Sequence, residues 1–311
     1  THTRAARGSI WLAVALAAIA IVVGIALVHL IMLRSESTSY PPYSTYRTDP
    51  IGVRAYFEAL VSMPELSVTR RLEPLVTLDD GHDTTLMLCG GTVTRKEPLP
   101  ETEALEKFAA SGGRLVVAFY PERERPGYWY PKEEKEKDDE NKDQAEEADE
   151  TPGSAEEPDS VDTEKDDDAK ENDRDEPFKA KMVSLEERWG FMYAFDDLPQ
   201  TTDKKMGTAS ATKQTNIDYL PDAAPWHSGL YFSDLAPEWT TVYSWDDHAV
   251  IIERAWENGS IVLCSDSYFV SNEAVRNDQV PGLLAWLTGP STHIMFDETH
   301  LGIADQPNTM T

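Results

Sequence analysis

The chain has 311 residues, 40% of them hydrophobic, enough to enclose one large domain or two small ones. Its formal charge of -28 argues against nucleic acid and anionic lipid as partners, because their phosphates would be repelled. Much of that charge falls in residues 133–176, where 23 acids face 6 bases.

Residues 1–9 form a short N-terminal tail. Ile10 to Leu33 is an almost unbroken apolar run of 24 residues, long enough to cross a hydrocarbon core of ~30 Å with some tilt. It is longer than the apolar region of a cleavable signal peptide, and Met32-Leu33-Arg34-Ser35-Glu36 follows it, so it reads as a retained single-pass anchor. Arg4 and Arg7 before the run nearly balance Arg34 and Arg47 after it, which gives a weak preference for a cytoplasmic N-terminus. Residues 34–48, with Tyr40-Pro41-Pro42-Tyr43, read as a stalk.

Asp49-Pro50 has the form of a helix N-cap followed by proline at the first helical position. Val53, Tyr56, Phe57 and Leu60 then recur at helical spacing. Strands are predicted at Ser67 to Arg71, Thr84 to Leu88 and Leu115 to Phe119, with a helix from Pro100 to Ala110 closed by Gly112-Gly113. Continuous apolar strands alternating with a helix predict a parallel sheet covered by helices.

Residues 132–177 contain almost no aromatic or branched apolar side chains and read as a disordered acidic loop. The loop divides one domain into residues 49–131 and 178–311. A calcium site in Asp166-Asp167-Asp168 lacks the EF-hand spacing and its central glycine. Beyond the loop, Val183 to Trp189 reads as a helix and Phe191 to Phe195 as a strand. Thr201 to Thr215 reads as loop, and Gly229 to Phe232 and Thr241 to Trp245 as strands. A hairpin joins Ala249–Ala255 to Ser260–Cys264 around Glu257-Asn258-Gly259, followed by a helix at Val280 to Leu287 and a strand at His293 to Phe296. The fold expected is α/β: a mostly parallel, doubly wound sheet of Rossmann or flavodoxin type after one transmembrane helix.

Several motifs resemble those of a bacterial family of membrane-anchored domains of unknown function with a glutamine-amidotransferase-like α/β fold. Gly112-Gly113-Arg114-Leu115-Val116-Val117 matches its central motif. Gly259 to Asn272 is similar to its glycine–strand–Ser-Asp-Ser block, with Asp266 and Asn272 in place. Asn277-Asp278 resembles its Asp-Asn pair in altered order, and Phe296-Asp297-Glu298-Thr299-His300-Leu301-Gly302 its closing motif. The resemblance implies a structural role for Gly112, Gly113, Asn272 and Asp278. It also implies a place in the bacterial inner membrane with the domain on the extracytoplasmic side, and work in an envelope complex. The protein partners it implies are MoxR-type AAA ATPases and von Willebrand factor A-like proteins, beside which such members are often encoded.

A glutamine amidotransferase needs a cysteine on a sharp strand-to-helix turn, activated by histidine. Cys89 is followed by loop and Cys264 lies within its strand, and Gly-x-Ser-x-Gly is absent, so no catalytic residue is assigned and no cofactor is named. The candidate ligand or metal residues are Asp266, Asp297, Glu298 and His300 at predicted strand ends. Two readings stay open for them: a metal-dependent enzyme or ligand-binding sensor, and capping groups that tie loops to the sheet. The function expected is a non-catalytic, membrane-anchored interaction or regulatory domain, with the enzyme or sensor as its alternative.

Overall fold

The computed structural model describes residues 22–25, 40–94, 96–122, 180–199 and 207–304. The chain divides into two compact units, and every element below belongs to the one built from residues 1–125 and 181–311. In chain order the elements are α1 (Arg54–Val61), β1 (Ser67–Arg71), β2 (Thr84–Gly91), β3 (Glu97–Pro98), α2 (Leu99–Ala110), β4 (Arg114–Phe119) and β5 (Met182–Val183). Then come α3 (Leu185–Trp189), β6 (Met192–Phe195), β7 (Ala209–Lys213), β8 (Ala223–Trp226), β9 (Leu230–Ser233), β10 (Thr240–Trp245) and β11 (His248–Trp256). β12 (Gly259–Cys264), α4 (Asn272–Asn277), α5 (Pro281–Thr288) and β13 (His293–Asp297) complete them.

Eleven strands form one sheet. Strands β1, β13, β2, β4 and β12 lie side by side and all run parallel. From β12 outward the pairing turns antiparallel through β11, β10, β7 and β8, while β9 pairs with β11 and β6 with β9. A separate two-stranded ribbon joins β3 to β5.

The apolar continuity of β2, β4 and β12 follows from burial on both faces. On one face Tyr56, Phe57 and Leu60 of α1 share a core with Met87, Val116, Val262 and Phe296 and with Leu283, Trp286 and Leu287 of α5. Each such side chain contributes roughly 1.5–3 kcal/mol by leaving water. On the other face α2 lies against β4 and β12 and buries Leu105, Phe108 and Ala109.

The expected mostly parallel, doubly wound sheet, of glutamine-amidotransferase or Rossmann and flavodoxin type, is corrected to a mixed sheet with few helices. The reason is connection length. A parallel neighbour needs a crossover of a dozen or more residues, whereas β10, β11 and β12 are joined by two-residue turns that permit only antiparallel return. Asp246 and Asp247 both take positive φ, 46° and 65°, as a tight hairpin turn of the primed type requires. The next turn is Glu257-Asn258, within the predicted stretch Glu257-Asn258-Gly259. Gly259 opens β12, where a Cβ would stand 2.1 Å from the Gly113 carbonyl oxygen.

The single-pass expectation is corrected as well. Among the described residues no helix is long and apolar enough to cross a membrane. The longest, α2, has 12 residues, about 18 Å of rise against a ~30 Å core. The predicted span of residues 10–33 lies outside the described residues apart from a helical turn at 22–25, and the acidic segment 132–177 lies outside them entirely.

Smaller differences have local causes. Helix α1 starts at Arg54, because Asp49 is held in an ion pair with Arg47 at 2.6 Å. Part of the predicted loop at residues 201–215 is β7, whose polar side chains alternate with the buried Ala211. The helix predicted from Val183 begins at Leu185, where the Ser184 hydroxyl caps Glu187 N–H.

Candidate functional site

The parallel strands open their carboxyl ends on one edge of the sheet, where loops and ligands gather in α/β folds. Three of the four candidates stand together there. Asp297 closes β13, Glu298 follows it, and a single 3-10 turn from Thr299 to Leu301 brings His300 back beneath Asp297. Asp266 follows β12, with β2 and β4 between it and β13. At ~4.8 Å per strand spacing the two sites are about 14 Å apart across the sheet.

Asp297 is buried, and its carboxylate accepts from Thr299 Oγ1 at 2.8 Å, from His300 N–H at 2.9 Å and from His300 Nδ1 at 2.8 Å. His300 Nε2 meets the Cys89 carbonyl oxygen at 3.0 Å, so the imidazole bridges the ends of β13 and β2. Both ring nitrogens face oxygen acceptors, which leaves no free lone pair directed at a metal ion.

Glu298 is 1% exposed. Its Oε2 accepts from Ser44 Oγ at 2.7 Å, and its Oε1 from Thr45 N–H at 2.8 Å and Thr45 Oγ1 at 2.5 Å. Arg70 Nε donates in turn to Thr45 Oγ1 at 2.6 Å. The Arg70 guanidinium lies 3.7 Å from the Phe57 ring centre and 4.5 Å from that of Tyr46. Its charge thus reaches the buried carboxylate through one hydroxyl. Ser44 and Thr45, read from sequence as stalk, are fully buried.

Asp266, also fully buried, accepts from His227 N–H and Tyr268 N–H, both at 2.7 Å. It clamps the loop before β9 to the turn after β12. Among the described residues no group of three or more His, Cys, Asp or Glu is arranged to hold a metal ion.

The motif residues have visible work. Asn272 Oδ1 accepts from Ala55 N–H at the start of α1, while its Nδ2 donates to the carbonyls of Arg47 and Asp49 at 3.1 and 2.6 Å. This side chain caps a helix far away in sequence that lacks a cap of its own. Gly112 takes φ 108°, and a Cβ on Gly113 would stand 2.5 Å from the Phe108 ring. Asp278 ends α4, its N–H on the Ala274 carbonyl.

Sequence reasoning overlooked Arg114, which is buried at the start of β4. It donates to the Trp286 and Leu287 carbonyls at the end of α5, to Ser260 Oγ, and to Glu253 in an ion pair. A cation opening an apolar strand was the available signal.

Beside His300 lies a crevice of about 360 Å3. Leu88 and Gly91 of β2 and Val117 and Phe119 of β4 form its wall, α2 and Trp189 flank it, and Glu97 and Glu101 stand among its lining groups. Burial, then the charges of Glu97 and Asp297, hold the Glu101 carboxyl above its ordinary range. Nothing in the sequence marked Glu101, since an acid in a first helical turn is commonplace. Cys89 and Cys264 are free and buried, and burial pushes both thiols well above their usual range.

A family model matches residues 45–288, from the Glu298-bound segment through α5. The chain belongs to the DUF4350 family, a domain of unknown function. No curated protein matches it. Among solved structures, the mmIFT52 N-terminal domain is similar at 12% identity over 67% of this chain and 78% of that one, with a TM-score of 0.35.

Trp226, Trp239 and Trp245 of this DUF4350 domain are core residues.

Proposed function

We propose that this DUF4350 domain is a non-catalytic interaction module that recruits a protein partner by strand addition. The observation that carries the reading is an asymmetry between β1 and β8, the two ends of the main run of strands from which β9 and β6 branch. At one end β8 contains Pro225, which lacks an N–H and blunts the edge. At the other end β1 pairs only with β13 among the described residues. Ser67 N–H and the Arg71 carbonyl bond inward, so the pleat turns the backbone groups of Val68 and Arg70 outward. An extended segment of another protein could continue the ladder there.

The state of the candidate residues supports the same reading. The carboxylates of Asp266, Asp297 and Glu298 and both nitrogens of His300 are bonded to the chain's own groups, and both thiols are held protonated by burial. MoxR-type ATPases and von Willebrand factor A-like proteins, implied by the family resemblance, are the partner classes to try first.

Val68→Pro removes one outward N–H and no bond of the β1–β13 ladder. The experiment is a pull-down with the full chain and purified candidates of those two classes. Capture by the wild type and its loss in Val68→Pro, with circular dichroism unchanged, is the expected result. Equal capture by both proteins would remove strand addition from the account, and no capture of either class would remove those partners.

A further inference from the structure

We infer that the crevice between β2, β4 and α2 binds a small molecule carrying an ammonium group on an apolar or aromatic body. This goes beyond the interaction reading and does not depend on it. The volume, about 360 Å3, falls within the range of small-ligand pockets, which are mostly apolar with a few placed polar groups. Leu75, Leu88, Leu105, Phe119 and Trp189 supply the apolar body of the lining, and Glu97 and Glu101 the charge.

The sign of that charge selects the ligand. No lysine or arginine lines the crevice among the described residues. Thr94 Oγ1 bonds Glu97, but Glu101 has no hydrogen bond or ion pair within the described chain. Asp297, beyond His300, adds negative potential and is engaged by its own partners. An unpaired, half-buried carboxylate beside two others is an unfavourable arrangement that an entering cation relieves. A metal ion fits less well: Glu97 and Glu101 alone cannot complete a hard-cation shell, and among the described residues no group of three or more His, Cys, Asp or Glu is arranged to hold one.

Ionisation ties binding to pH. The Glu101 carboxyl titrates above its usual range, so ammonium binding strengthens as pH rises through that elevated value and fades below it. The same shift carries a stability signature. A carboxyl whose folded pKa is raised contributes stability below the unfolded pKa that is lost as pH rises through the folded one. Glu101→Gln therefore removes a pH-dependent loss and leaves the fold at neutral pH at least as stable as the wild type.

The probe is benzylamine, with benzyl alcohol as its neutral counterpart, titrated into the full chain and followed by amide NMR shifts. A ligand of that size binds in the millimolar range. Expected are saturable shifts at residues lining the crevice with benzylamine, affinity for benzyl alcohol about tenfold weaker, a comparable loss in Glu101→Gln, and weakening as pH falls. Absence of saturable shifts, equal binding of the alcohol, or an unaffected Glu101→Gln would each overturn the inference. Partner capture at β1 is read separately through Val68→Pro, so the two readings fail independently.

Discussion

The Glu298 carboxylate has exchanged water for three donors, all from Ser44 and Thr45, residues more than 250 positions earlier in the chain. Such an exchange is favourable only while every donor is present, because a buried carboxylate solvates poorly and each abandoned donor carries its own desolvation cost. Glu298→Ala leaves two hydroxyls and one N–H without their acceptor. We predict a loss of about 3 kcal/mol, measured by urea unfolding, with protection of the Thr45 amide lost first in hydrogen exchange. A loss below about 1 kcal/mol would mean that water replaces the carboxylate and that the clasp does not hold residues 44–45 to the sheet. The sequence exposed one half of this arrangement. Asp297, Glu298 and His300 follow an apolar run, so a polar site at a strand end was legible there. Ser44 and Thr45 were not, because a serine and a threonine among tyrosines and prolines look like any turn until the far partner is known.

At the level of elements, β4 and α5 are joined through one cation. The Arg114 guanidinium reaches the Trp286 and Leu287 carbonyls in the last turn of α5 and stacks 4.7 Å from the Trp286 ring centre. It also engages Glu253 of β11 and Ser260 of β12, so three strands and a helix meet on one planar fork. Lysine carries the charge without the fork and cannot serve these acceptors together. Arg114→Lys should lower stability by about 2–3 kcal/mol and Arg114→Met by about 3–5 kcal/mol, the latter because Glu253 loses its partner. Thermal unfolding of both variants gives the order. Equal losses would show that charge alone matters at this junction. The strand itself was plain in sequence, since Leu115 to Phe119 is apolar throughout. What periodicity could not supply was the company each strand keeps. β10, β11 and β12 each read correctly as strands and β11 with β12 as a hairpin, but the two-residue turn at Asp246 and Asp247, both at positive φ, decides that β10 too pairs antiparallel with β11. In the turn read as Glu257-Asn258-Gly259, the close approach of Gly259 to Gly113 had been hidden in a glycine that looked like turn chemistry.

For the whole molecule, charge and sheet edges act against each other. An open edge strand is a template for pairing with any exposed strand, a second copy of the chain included. The net charge of -28 opposes that pairing by repulsion between copies. Composition disclosed the charge at once, but the edge it guards emerged only with the topology, because nothing within Ser67 to Arg71 says that the strand lies outermost. Salt screens exposed charges and leaves buried hydrogen-bonded ones largely untouched, the Debye length falling from ~10 Å at 0.1 M to ~3 Å at 1 M. Sedimentation velocity should therefore show the wild type as a monomer at low salt and self-associating near 1 M. Val68→Pro should remain monomeric in both, because the proline removes an outward donor and crowds the approach of a second strand. Association of wild type and Val68→Pro to the same extent would place the contact elsewhere on the surface. A wild type monomeric at both ionic strengths would show that the edge is closed to a second copy even without the charge.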